Sequence, residues 1–380
     1  MLKVLIVFGT RPEVIKLAPV IKEFKKYPNR FLCRICVTGQ HRQMIDPLLK
    51  LFEIQSDYDL NIMQENQNLD HITTAVLREA GEIIDKEKPD YLFVQGDTTS
   101  AMAASLAAFY RKVKIGHVEA GLRTWDKHHP YPEEVNRRVI DSVSDLFFAH
   151  TQAAKRNLLN EGVAKEKIEV TGNTVIDALL ETARKNFKFK NTAFEKFISD
   201  GRKIILVTAH RRENFSGPIR NICEAIKNVA QNHKENVSFI YPVHLNPNIQ
   251  KPVYEILGNV GNVLLSEPME YLPFVHLMKR AHFILTDSGG LQEEAPSLGK
   301  PVLVLRQTTE RPEGVEAGCV EVIGTERNNI IKKVVTLIED KQKYKRMAQA
   351  KNPYGDGAAG KKIVKRLLRE INKKNSQRQI

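Results

Sequence analysis

Four cysteines and one tryptophan in 380 residues are too few thiols for a disulfide scaffold. Two of them form a C-x-x-C, Cys33 and Cys36, but inside Phe31-Leu32-Cys33-Arg34-Ile35-Cys36-Val37. Such an apolar run predicts a buried strand rather than a redox or zinc turn. No second Cys/His pair completes a metal site, so no metal is expected. Long apolar runs are missing as well: Ala101 to Phe109 is Ala-rich and falls far short of the roughly 20 residues that span a bilayer. The opening Met1 to Gly9 is too short for a secretory leader and has no small-residue cleavage site, so a cytoplasmic chain with no membrane insertion is expected. Both common phosphate fingerprints are absent. Gly9 stands alone where a dinucleotide fold would carry G-x-G-x-x-G, and no G-x-x-x-x-G-K-[ST] occurs. NAD and ATP chemistry lose support, and no cofactor is expected.

What is present is an ordinary globular composition, 42% apolar and 27% charged, over a length that predicts two domains at roughly 100 to 200 residues each. The formal charge is +13, and the segment from Lys361 to Ile380 carries most of the excess, with eight basic residues and one acid. Within it Ile363, Val364, Leu367, Leu368 and Ile371 recur at helical spacing, which predicts a docked amphipathic helix with a solvated basic face. Basic residues are not interleaved with aromatics, so no nucleic-acid partner is expected.

Short apolar runs alternate with longer helical patterns along the chain. Strands are predicted over Val4-Phe8, Leu32-Val37, Tyr91-Val94, Lys114-Val118, Leu146-Ala149 and Ile168-Val170, then over Ile204-Val207, Ser238-Tyr241, Val263-Leu265, Phe283-Leu285, Val302-Leu305 and Val320-Ile323. Strands with helical crossovers make parallel sheets covered on both faces. Two such sets, joined by a polar, Lys-rich stretch from about Arg184 to Lys203, predict two doubly wound α/β domains, expected at 1–172 and 173–360.

Unusual residues gather where the strands end. The exits read Gly9-Thr10-Arg11-Pro12-Glu13, Gln95-Gly96-Asp97-Thr98-Thr99, His117-Val118-Glu119-Ala120-Gly121, Thr208-Ala209-His210-Arg211, Pro242-Val243-His244 and Thr286-Asp287-Ser288-Gly289-Gly290. Open α/β sheets bind ligands at the carboxyl ends of their strands, so a cleft site is expected. The last turn is suited to a diphosphate, because glycines admit close approach and free N–H groups at a helix start bind phosphate.

These motifs, with Pro132-Glu133-Glu134-Val135-Asn136-Arg137, Thr171-Gly172-Asn173-Thr174, Pro242-Val243-His244-Leu245-Asn246-Pro247 and Glu310-Arg311-Pro312-Glu313, together resemble the non-hydrolysing UDP-N-acetylglucosamine 2-epimerases, in collinear order from Lys3 to about Gly360. The resemblance implies a GT-B fold, two Rossmann-like domains facing a central cleft with the helix of 361–380 packing back on the first, and a homodimer. It implies interconversion of UDP-N-acetylglucosamine and UDP-N-acetylmannosamine through 2-acetamidoglucal, without NAD or metal, for cell-surface polysaccharide precursors. By family match Asp97, Glu119 and Glu133 are the catalytic carboxylates. Arg11, Lys16, His210, Ser288, Gly289, Gly290 and Arg311 stabilise the departing diphosphate, and Glu294 and Phe274 contact ribose and uracil. Gln40, Gln43, Glu133, Arg211 and His244 match a regulatory site that binds a second substrate molecule, while Asn66 stands where members often carry Arg, which predicts weakened regulation. The hydrolysing type of epimerase, a GT-B glycosyltransferase and a non-catalytic nucleotide-sugar sensor are the alternatives.

Overall fold

A computed structural model describes residues 1–40, 42–64, 67–190 and 192–377. The chain forms two compact units, Met1–Ala178 with Tyr354–Ile380, and Leu179–Pro353. The division falls within one helix, beyond the expected 172/173, and the chain returns to the first unit at Tyr354, ahead of the expected tail helix.

The first unit runs β1 (Leu2–Phe8), α1 (Arg11–Lys25), β2 (Phe31–Val37), α2 (Arg42–Leu51), β3 (Tyr58–Asp59), α3 (Leu69–Glu87) and β4 (Tyr91–Gln95). It continues with α4 (Thr99–Tyr110), β5 (Lys114–Ala120), α5 (Glu133–Val143), β6 (Leu146–Ala149), α6 (Gln152–Asn160), β7 (Ile168–Val170) and the start of α7 (Thr174–Arg184). The second unit holds α8 (Thr192–Ser199), β8 (Lys203–Thr208), α9 (Gly217–Asn232), β9 (Val237–Pro242), α10 (Pro247–Leu257), β10 (Val263–Ser266) and α11 (Tyr271–Arg280). After these come β11 (Phe283–Thr286), α12 (Gly289–Glu294), β12 (Val302–Val304), α13 (Pro312–Glu316), β13 (Val320–Val322), α14 (Arg327–Glu339) and α15 (Lys341–Gln349). The closing helix α16 (Ala359–Gln377) belongs to the first unit.

All twelve expected strands are present. The sheets are parallel, ordered β3-β2-β1-β4-β5-β6-β7 and β10-β9-β8-β11-β12-β13, so in each the strand order reverses beside the first strand, which makes a topological switch point. Only β3 went unread in the sequence: it is two residues long, pairs with Cys36 and Val37, and has no apolar run to announce it. The Cys33-x-x-Cys36 segment is the interior of β2, and burial pushes both thiols up to about 12.

Each core follows from the apolar runs. Leu5, Val7, Leu92, Val94 and Ile115 pack with the buried alanines of α4 in the first unit. Ile205, Val207, Phe239, Phe283 and Leu285 pack with α9 and α14 in the second. The Ala101–Phe109 run is thus a helix whose small side chains let α3 and α5 approach closely. α16 buries Ile363, Val364 and Leu367 and its start is held by Asp177, whose carboxylate accepts the Ala359 and Gly360 amides at 3.1 and 2.9 Å. Three of its basic residues are paired: Lys362 meets Asp356 and the Thr171 carbonyl, Arg366 meets Glu370 and the Glu166 carbonyl, and Arg369 meets Glu169.

Candidate active site

In the first unit the switch point lies between β1 and β4. Glu13, 1% exposed, gathers it: one carboxylate oxygen accepts the Gly9 and Thr10 amides at 2.9 and 2.7 Å, and the other accepts the Thr98 hydroxyl at 2.8 Å. Burial pushes this carboxyl above the usual carboxylate range against the hydrogen bonds from Gly9, Thr98 and Thr10. Gly9 is required by space, since a Cβ there would come within 1.9 Å of Thr38 Oγ1. Half-buried Arg11 opens α1 directly after this turn.

Glu119 lies near the end of β5 with φ +70°, where the β5–β6 register shifts between Val118 and Ala120. A bulge of this kind re-aims a side chain, and a non-glycine residue in the left-handed region is held only by its surroundings. Those surroundings are explicit. Lys16 Nζ meets the two carboxylate oxygens at 2.7 and 2.6 Å, Asn173 Nδ2 donates to one at 2.9 Å, and Gln95 Nε2 donates to the other. Asp97, two residues past the end of β4, pairs with Arg137 Nη2 of α5 at 2.5 Å, and Asn136 Nδ2 of the same helix donates to the Asp97 carbonyl at 3.0 Å. Glu133 is the first residue of α5, half-buried, and its Oε2 is shielded from solvent with no hydrogen-bond partner among the described residues. The parallel sheet therefore carries Asp97 and Glu119 on neighbouring strand ends, and α5 joins Glu133 to them through Arg137.

The second unit repeats the device. Asp287, fully buried after β11, accepts the His210 and Arg211 amides at 2.7 and 2.8 Å and Asn214 Nδ2 at 2.9 Å, all through one oxygen. The turn it holds leads from β8, so this carboxylate again spans the switch point. Ser288 caps α12, and Gly289 and Gly290 open it. A Cβ on Gly289 would lie 3.5 Å from Arg211 Nη2, and one on Gly290 would lie 3.5 Å from Glu294 Oε1. Arg211 and Glu294 thus flank the glycine turn. Arg311 is paired with Glu293. The rings of His210 and His244 stack, centroids 5.4 Å apart at 13°. Burial, opposed by Asp287 and reinforced by His244 and Arg211, holds His210 below its ordinary value. A neutral imidazole keeps one N–H to donate.

Comparison with known proteins identifies the family. A family profile described as UDP-N-acetylglucosamine 2-epimerase matches residues 22–368. This chain belongs to the UDP-N-acetylglucosamine 2-epimerase family. The UDP-N-acetylglucosamine 2-epimerase of Neisseria meningitidis serogroup A is 52% identical over 375 residues, covering 97% of this chain and 100% of the relative. That of Escherichia coli K12 is 51% identical over 371 residues, covering 96% and 98%. The crystal structure of the Neisseria meningitidis enzyme bound to UDP-GlcNAc matches with TM-score 0.86, 52% identity and 97% and 100% coverage. The Methanocaldococcus jannaschii enzyme matches with TM-score 0.81, 36% identity and 96% and 99% coverage. The fold class is GT-B, and the chain is an isomerase rather than a glycosyltransferase.

In this epimerase family member one group expected at the diphosphate has a carboxylate partner in the first unit. Lys16, expected among the cations for the diphosphate, is committed to Glu119 in this structure. Gln95 and Asn173 lay inside the quoted motifs without a role, and each is a direct partner of Glu119, while Arg137 is the ion-pair partner of Asp97. Asp287 likewise stood in a motif without a task, and its burial beside a glycine turn was the signal available. Phe274 is a half-buried residue of α11. Of the regulatory candidates, Gln40 accepts the Ser100 hydroxyl at 2.8 Å and Gln43 is an exposed residue of α2. Asn66 lies outside the described residues.

Proposed function

We propose that this chain interconverts UDP-N-acetylglucosamine and UDP-N-acetylmannosamine by eliminating UDP and adding it back through 2-acetamidoglucal, without NAD or metal, in supply of cell-surface polysaccharide precursors. The observation that carries this reading is Glu119, a carboxylate held in a left-handed bulge by Lys16, Gln95 and Asn173 beside a second carboxylate, Asp97. Carbon 2 of the sugar has no adjacent carbonyl to make its hydrogen acidic, so direct deprotonation is too costly. Breaking the C1–O bond lets the electron pair leave with UDP, the C2 proton passes to a base, and a C1–C2 double bond forms. Re-addition delivers a proton to the other face of C2.

General acid and base on opposite faces are therefore required, and Glu119, Asp97 and Glu133 are the groups for it. Asp97, salt-bridged to Arg137, suits the positive charge that develops at C1. Glu133, with an unfilled hydrogen-bonding position, suits proton exchange. The leaving diphosphate calls for preorganised positive charge and N–H groups, which the Ser288-Gly289-Gly290 turn, Arg211, Arg311 and Arg11 would provide, with His210 donating from a neutral ring. Glu294 and Phe274 are assigned to ribose and uracil. Gln40, Gln43, Glu133, Arg211 and His244 are candidates for a second substrate site.

Proton NMR of UDP-N-acetylglucosamine with the protein in deuterated water tests the reading. The expected result is UDP-N-acetylmannosamine carrying deuterium at C2, with no NAD or metal added. Product without deuterium would overturn the elimination route, and free N-acetylmannosamine with stoichiometric UDP would make this the hydrolysing type.

A further inference from the structure

One fully buried side chain of the first unit has no part in the chemistry above. His117 lies on β5, two residues ahead of Glu119, and is 0% exposed. Its Nδ1 is 2.7 Å from Asp141 Oδ1 and its Nε2 is 2.7 Å from the carbonyl oxygen of Gly96. We propose that His117 is a positioning residue which, donating from both ring nitrogens at once, holds the three carboxylate-bearing segments of the site in register.

The proton inventory follows from the partners. A carbonyl oxygen can only accept, and a neutral imidazole carries one N–H, so a ring in that form would set a lone pair against one of the two oxygens. The other way to satisfy both contacts is a proton on Asp141. Its second oxygen argues against that, being 2.7 Å from Arg123 Nη2 and accepting the Gly121 amide at 3.2 Å. Arg123 in turn makes two hydrogen bonds to Glu161, at 2.8 and 2.6 Å. His117, Asp141 and the Arg123 side chain are buried and Glu161 is exposed, so an ionised Asp141 lies between two donors in a run that leads from the core to the surface. Burial alone would raise the Asp141 carboxyl, yet His117 and Arg123 hold it below the usual carboxylate range.

The geometric consequence concerns three segments. Gly96, at φ +71°, is the residue before Asp97, so the Nε2 bond fixes the turn that aims Asp97. Asp141 is on α5, which begins at Glu133 and carries Arg137, so the Nδ1 bond fixes that helix. His117 itself lies on the strand that bears Glu119. Removing either donor frees one segment while leaving the hydrophobic core intact. A misplacement of about 1 Å at a reacting group can cost on the order of 100-fold in rate.

This inference rests on the epimerase reading for its kinetic arm only. Nitrogen-15 NMR of the full-length protein, labelled at histidine, is expected to show His117 with a proton on both ring nitrogens, the signal being assigned by its loss in a His117 variant. A His117 ring with one unprotonated nitrogen overturns the proposal. For kinetics, His117→Asn keeps a donor towards Asp141 and loses the Gly96 bond, and His117→Gln does the converse. Both are expected to lower kcat by about 100-fold while KM stays within about threefold, since the loss is made in the transition state. Wild-type kcat in either folded variant overturns the proposal, and if neither variant folds, the ring signal of the wild type, assigned then by its contacts to β5, decides it. A wild type inactive on UDP-N-acetylglucosamine would sink the functional reading and leave the ring signal standing.

Discussion

Glu119 occupies a backbone region that typically costs ~1–3 kcal/mol for a residue other than glycine, and Lys16, Gln95 and Asn173 converge on its carboxylate. That arrangement makes a divided prediction for Glu119→Gln, which keeps the volume and removes the charge and the exchangeable proton. Turnover should fall by about 100-fold to 10,000-fold, or roughly 3 to 5 kcal/mol of transition-state stabilisation. The melting temperature should also fall, because Lys16, whose side chain is 19% exposed, loses its charged partner. Asp97→Asn and Glu133→Gln should lower turnover over the same range. Steady-state kinetics on the three variants check this, and near-normal turnover in all three would remove the site. Asp97, Glu119 and Glu133 were legible as candidates because each stands in a dense local motif. Their partners were not, since Lys16, Gln95 and Asn173 are far from Glu119 in sequence and only the sheet order brings them to one carboxylate.

At the scale of elements, strands were legible because each parallel strand is buried on both faces and so reads as an apolar run. α16 was legible from its apolar spacing, but its start at Ala359 was not, because the cap that sets it is Asp177 on α7. Burial, opposed by the Gly360 and Ala359 amides, raises the Asp177 carboxyl to about 6. A carboxyl raised in the folded state above its unfolded value of about 3.9 contributes stability that is fully present below the unfolded value and is lost as pH rises through about 6. The wild type should therefore lose stability relative to Asp177→Asn between about pH 4 and pH 7. Melting curves of the two proteins across that range check the sign, and a difference that does not vary with pH would show that the α16 amides, not burial, govern this group.

At the scale of the whole molecule, the first unit holds the carboxylates proposed to act on the sugar, and the second holds the glycine turn proposed for the diphosphate. A ligand that binds only the folded protein stabilises it by about 2.7 kcal/mol at 100 times its Kd, so UDP should raise the melting temperature, and Glu119→Gln should keep that rise. Gly290→Ala should reduce it. An added Cβ would meet Glu294 Oε1 at 3.5 Å and Ser288 Oγ at 3.9 Å, ordinary contacts, and alanine favours a helix over glycine by up to ~1 kcal/mol, so the unliganded protein should melt no lower. Thermal shift assays check both variants, and a full UDP shift in Gly290→Ala would remove the turn from the diphosphate site.

The sequence by itself determined the two doubly wound units, the strands within them, the absence of a dinucleotide fingerprint and the motifs that mark the family, because apolar runs, glycine turns and capping residues are local signals read within a few residues. Tertiary structure alone decided the left-handed setting of Glu119, the pairing of Lys16 with it, the stacking of His210 on His244 and the paired side chains that run from His117 to Glu161. Each of these depends on which distant groups share a desolvated space, and the charge a buried group carries is set by that company rather than by its neighbours along the chain.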